Sequence, residues 1–130
     1  MSLTMSGVCS MYKKYCHVSL KVFFVIMSNW EVKTEIQRKL LGSPPKSTFY
    51  RWKTSLNGRL TLKQMTRVSY ILTIHNSLIT LLPDINNAHA WVQKPNSYAL
   101  FKGKSALGYM SIGYMTRLKR VSDYVRGECI

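Results

Sequence analysis

Residues 32–54 read VKTEIQRKLLGSPPKSTFYRWKT, and this stretch decides the fold class. Val32, Ile36, Leu40 and Leu41 recur at helical spacing. Gly42-Ser43-Pro44-Pro45 stops that pattern. Ser47 then offers a cap for a second short helix, Thr48 to about Ser55, and Asn57-Gly58 closes it with a turn. A helix, a tight Gly-containing turn and a short basic helix form a helix-turn-helix signature. At about 100° per residue, Phe49, Trp52 and Leu56 share one face. Ser47, Tyr50, Arg51 and Thr54 fall opposite, with Lys46 and Lys53 at the flanks.

Charge says what the outward face is suited to meet. The chain has 130 residues, 19 Lys+Arg against 5 Asp+Glu, and a net charge of +14. No Asp or Glu lies between Glu35 and Asp84, an interval holding Arg38, Lys39, Lys46, Arg51, Lys53, Arg59, Lys63 and Arg67. Such a one-sided surface points to an anionic partner: nucleic acid, an anionic membrane or an acidic protein. Arg takes guanine bidentately, Ser and Thr reach phosphate or base edges, and Lys neutralises phosphate. Lys46, Ser47, Tyr50, Arg51, Lys53 and Thr54 are therefore the expected DNA contacts. The plain alternative is a helical hairpin whose second helix only packs and whose cations are only solvated.

Outward from this stretch, further helices are expected. Ser28 caps a helix from about Trp30 to Leu41, with Glu31 in its first turn. Residues 61–82 are apolar on most sides, which fits a central helix, a helix bent near Thr73, or a surface against a second subunit. Asp84 or Asn86 caps a short helix ending at Pro95-Asn96. Ser105 caps another through Met110 and Ile112, ended by Gly113. The last runs from about Tyr114 to Arg126, with Met115, Leu118, Val121 and Val125 inward. No convincing strand follows residue 27.

The N-terminal segment is less patterned. Lys13-Lys14 before the apolar run Val22–Met27 imitates a signal peptide, but Lys21 interrupts the run and no cleavage site follows. The run is too short to span a bilayer. Residues 1–27 read as an extension containing a short strand or helix, and Met27 offers an alternative start.

Chemistry is sparse. The odd set Cys9, Cys16 and Cys129 has no paired spacing, and Cys9 with Cys16-His17 lacks the second ligand pair of a zinc site, so free thiols in a reducing cytosol are expected. His75 and His89 lie in apolar helices as packed or surface side chains. No nucleophile motif, carboxylate pair or Gly-rich phosphate loop appears. No catalytic residue, metal or cofactor is expected, and the chain does not read as an enzyme.

One resemblance joins these observations. Leu40-Leu41-Gly42, Ser47-Thr48-Phe49-Tyr50-Arg51-Trp52-Lys53, residues 60–82, Ala90-Trp91-Val92-Gln93-Lys94-Pro95-Asn96, Leu100-Phe101-Lys102-Gly103-Lys104-Ser105-Ala106-Leu107, Gly113 and residues 118–125 follow one another in order. Over residues 37–126 the chain resembles the Xre/MbcA/ParS family of bacterial antitoxins. The resemblance implies an all-α fold: a helix-turn-helix region (28–83) followed by a C-terminal toxin-binding region (84–130). It implies a cytoplasmic homodimer that neutralises a RES-domain toxin attacking cellular NAD and represses its own operon by binding operator DNA. Toxin contacts are then expected at Trp91, Pro95, Asn96, Lys102, Tyr124 and Arg126. Arg126 departs from the family, where an acidic residue commonly follows the aromatic-aliphatic pair. A stand-alone transcriptional regulator of the same fold is the alternative. No membrane partner is expected.

Overall fold

A computed structural model describes residues 5–128. They form α1 (Met5–Asn29), α2 (Thr34–Leu40), α3 (Lys46–Ser55), α4 (Leu62–Leu81), α5 (Ile85–Ala90), a 3-10 turn (Trp91–Gln93), α6 (Ala106–Met110) and α7 (Met115–Glu128). The expected all-helical class holds. Cys129 lies outside the described residues.

α4 is the hub. Thr61 opens it with a reciprocal cap: Gln64 N donates to the Thr61 hydroxyl oxygen at 3.1 Å, and Thr61 N donates to Gln64 Oε1 at 2.9 Å. It runs unbroken through Thr73. Val68, Ile71, Ile74 and Leu78 are buried, and α4 packs against α1, α5 and α7. The helix does not bend near Thr73, and it takes a central place between α1, α5 and α7, while Leu72 and Ile79 stay exposed on its outer face.

The N-terminal segment corrects the expectation. From residue 5 onward it is one 25-residue helix rather than a poorly specified extension. Cys16, Leu20, Phe23 and Met27, followed by Trp30, recur every three to four residues and are buried. They belong to the same core as α4 and α7, and that core runs without a break across residues 83 and 84. Lys21 points to solvent and interrupts nothing. α1 also carries a second stripe. Val8, Met11, Tyr15, Val18 and Val25 are exposed, and half-buried Val22 completes the 3-4-3-4-3 spacing.

Two helix starts differ from expectation. Ser28 belongs to the end of α1, and Glu31 sits in a left-handed turn (φ 55°). Trp30 N donates to Ile26 O and Val32 N to Met27 O, so the chain turns before α2 begins at Thr34. Likewise α3 begins at Lys46 behind Pro45, whose carbonyl accepts from Phe49 N at 2.9 Å. Ser47 thus lies inside the first turn rather than capping it. Asp84 and Ser105 do cap α5 and α6, accepting from Asn86 N and Gly108 N. α6 stops at Met110, leaving Ile112 exposed outside it, and α7 starts at Met115 rather than Tyr114. No helix among the described residues is long and apolar enough to cross a membrane.

Candidate nucleic-acid interface

α2 and α3 are joined by five residues. Gly42 adopts φ 96°, a conformation that favours glycine. Arg38 Nη1 donates to Pro44 O at 2.8 Å, holding the turn from within α2. Arg38 also pairs with Glu35 at 2.6 Å, and that contact keeps the Glu35 carboxyl below its ordinary range. Arg67 Nη1, from α4, donates to Leu40 O at 3.3 Å.

α3 is seated by its aromatic face. Phe49 is fully buried against Phe24 of α1, ring centroids 5.6 Å apart. Trp52 is buried over Gly58, and a Cβ at Gly58 would overlap the indole ring. Half-buried Leu56 ends the helix in a left-handed conformation.

The opposite face is open. Lys46, Ser47, Tyr50, Arg51, Lys53 and Thr54 are all exposed, as the helical wheel requires. Lys53 Nζ leans back to Thr34 Oγ1 at 3.3 Å, and the Thr54 hydroxyl donates to Tyr50 O at 3.1 Å. No carboxylate pairs with Lys46, Arg51 or Lys53 among the described residues. Arg67 departs from the expected surface: it is buried, and its guanidinium is committed to carbonyls.

The C-terminal candidates divide into a cluster and its surroundings. Half-buried Trp91 stacks on Tyr124 at 6.5 Å and meets Phe101 edge-on at 6.0 Å. Tyr98, which the sequence reading missed, stacks on Tyr124 at 4.2 Å and is exposed. Burial raises the Tyr124 phenol pKa, with Glu128 and Tyr98 adding to the shift. Pro95 and Asn96 shape a closed loop. Asn96 N donates to Lys104 O, Gly103 N donates to Asn96 O, and Asn96 Oδ1 accepts from Tyr98 N at 2.8 Å. Exposed Lys102 stands in that loop, while Arg126 lies near the end of α7 beside Asp123 at 3.5 Å. His75 stacks on His89 at 5.7 Å. No group of three or more metal-ligating side chains gathers among the described residues.

The chain is 38% identical over 109 residues to "Uncharacterized protein y4oB" of Sinorhizobium fredii, covering 84% of this chain and 82% of the relative. The chain belongs to the y4oB family. No family model matches this y4oB-family chain. No solved structure matches it either.

Proposed function

We propose that the protein is a DNA-binding antitoxin. In this reading α2, the turn and α3 act as a helix-turn-helix, with α3 in the major groove of operator DNA. The observation that carries it is the division of α3: Phe49 and Trp52 are buried, while Ser47, Tyr50, Arg51 and Thr54 face solvent, with Lys46 and Lys53 exposed beside them. A helix held only for packing has no need of a carboxylate-free cationic outer face.

The toxin-neutralising part rests on the resemblance of residues 37–126 to Xre/MbcA/ParS antitoxins. The aromatic cluster of Trp91, Tyr98 and Tyr124, with Pro95, Asn96 and Lys102 in the adjoining loop, is the surface we assign to a RES-domain toxin, and Arg126 flanks it. We also propose a homodimer, supported by the outer apolar stripe of α1.

The test has two arms. Binding to the DNA upstream of the gene is measured with the parent, Arg51→Ala and Lys53→Ala. Affinity is expected to fall about tenfold or more for Arg51→Ala, and the parent's affinity to fall steeply with salt. Unchanged binding by both variants overturns the assignment of α3. Co-expression with the product of the adjacent reading frame tests the other half. Rescue of growth with co-purification supports the antitoxin. A harmless or unbound neighbour leaves a stand-alone regulator.

A further inference from the structure

α7 and the loop before α6 enclose a basin of about 450 Å³. Its lining includes Lys102, Lys104, Arg117 and Arg120, together with Tyr109 and Ile112. None of the four cations forms an ion pair among the described residues. Cations left unpaired around a concavity raise the local potential there, because the walls focus the field.

The two arginines are held in place. Arg117 and Arg120 sit three residues apart on α7, so they share a face. Arg117 Nη1 donates to Tyr109 O at 3.1 Å, and its guanidinium lies 4.5 Å from the Tyr109 ring centroid. Arg120 Nη1 reaches the Tyr109 hydroxyl at 3.4 Å. Each fork spends one donor or so on Tyr109 and keeps the remaining N–H groups for a ligand.

The lysines come from a loop that is closed on itself. Asn96 N–Lys104 O, Gly103 N–Asn96 O and Lys104 N–Phe101 O bonds cross it, and Pro95 bridges Ser105. Lys102 is held at φ 51°, a left-handed conformation that a lysine adopts only at some cost. The loop therefore presents two cations from a fixed backbone.

We propose that this basin binds a small phosphate compound carrying two or more negative charges. A single carboxylate would use one guanidinium fork and leave three cations facing one another. A multiply charged phosphate offers enough acceptor oxygens for both forks and both ammonium groups. The volume falls within the range of small-ligand sites, about 300–1,000 Å³. This inference does not rest on the antitoxin reading, although Lys102 belongs to both surfaces.

The probe is inorganic pyrophosphate, titrated into nitrogen-15-labelled protein at about 0.15 M salt, where long-range attraction is screened. Saturable shifts are expected at the amides of Lys102, Gly103, Lys104, Ile112 and Arg117. The double variant Lys104→Gln, Arg120→Gln should bind about tenfold or more weakly. Both side chains are exposed, so the variant's other amide shifts report whether the fold is intact. The variant Lys13→Gln on α1 should leave affinity unchanged. Shifts that fail to saturate, or that spread equally over α1 and α3, overturn the proposal. So does undiminished binding by the Lys104/Arg120 variant, or a DNA duplex that shifts these amides where pyrophosphate does not.

Discussion

The guanidinium of Arg67 donates to the carbonyl of Gly113 in the turn between α6 and α7. Its other terminal nitrogen donates to Leu40 O at the end of α2. One buried side chain thus joins the turn before α3 to the turn before α7. No carboxylate pairs with it among the described residues, and burial lowers its pKa from the ordinary value, though a guanidinium stays charged throughout the working range. Replacing it by methionine fills similar volume but leaves two carbonyls without their donor. Arg67→Met should lose about 2 kcal/mol or more of stability, read from urea unfolding. A loss below about 0.5 kcal/mol, as for an ordinary surface site, would mean that water serves those carbonyls equally well.

Gly58 should be intolerant of the smallest side chain. Its backbone lies against the Trp52 ring, and an added methyl would overlap the indole. Relief requires the buried ring to move, and the ring is what seats α3. Gly58→Ala should therefore destabilise by about 1–3 kcal/mol, with a shifted tryptophan emission. If stability and emission both match the parent, the ring is not held there in solution.

The helices after residue 30 were largely legible because their caps and breakers are local signals. Asp84 and Ser105 cap as expected, Ser28 and Ser47 do not, and Phe49 and Trp52 face inward as the wheel of α3 requires. α1 was missed for a different reason. Judged as one run, Val22–Met27 is too short to be a core helix. Judged by spacing, Cys16, Leu20, Phe23 and Met27 form one heptad-like stripe, and Val8, Met11, Tyr15 and Val18 form another. Two interleaved stripes blur each other's amphipathicity, so the helix looks unpatterned from sequence. Arg67 and Tyr98 were also hidden, since only tertiary structure brings Gly113 to the one and Tyr124 to the other.

His75 should make stability fall in mild acid. Its ring sits between Trp30 and His89, at 6.5 and 5.7 Å, and among the described residues neither nitrogen finds a hydrogen-bonding partner of good geometry. Burial pushes its pKa below the ordinary 6.5; the Asn76 side chain opposes this, and His89 adds to it. The unfolded chain then binds the proton more tightly than the folded one. Stability contributed by the neutral ring is present above pH 6.5 and is lost as pH falls through that value toward the lower folded pKa. The melting temperature should drop between pH 7.5 and pH 5, and drop less in His75→Phe. Equal drops in both proteins would place the acid sensitivity elsewhere.

The outer stripe of α1 makes the proposed dimer specific. Val8, Met11, Tyr15, Val18, Val22 and Val25 occupy alternating a and d positions of a heptad. Lys14 and Lys21 then fall at g, and Ser19 falls at e. In a parallel pair each g position faces the partner's e, which sets Lys14 against Ser19. In an antiparallel pair the g rows face each other, which sets lysine against lysine. The parallel arrangement therefore avoids repulsion in the middle of the stripe. Val18 is exposed, so Val18→Asp places a carboxylate at the centre of the pairing surface without disturbing the core. Sedimentation should show a dimer for the parent and a monomer for this variant, with an unchanged helical spectrum. Operator affinity should weaken as well, because two half-sites held together bind far better than either alone. A parent that sediments as a monomer, or a variant that stays dimeric, would remove α1 as the dimer surface.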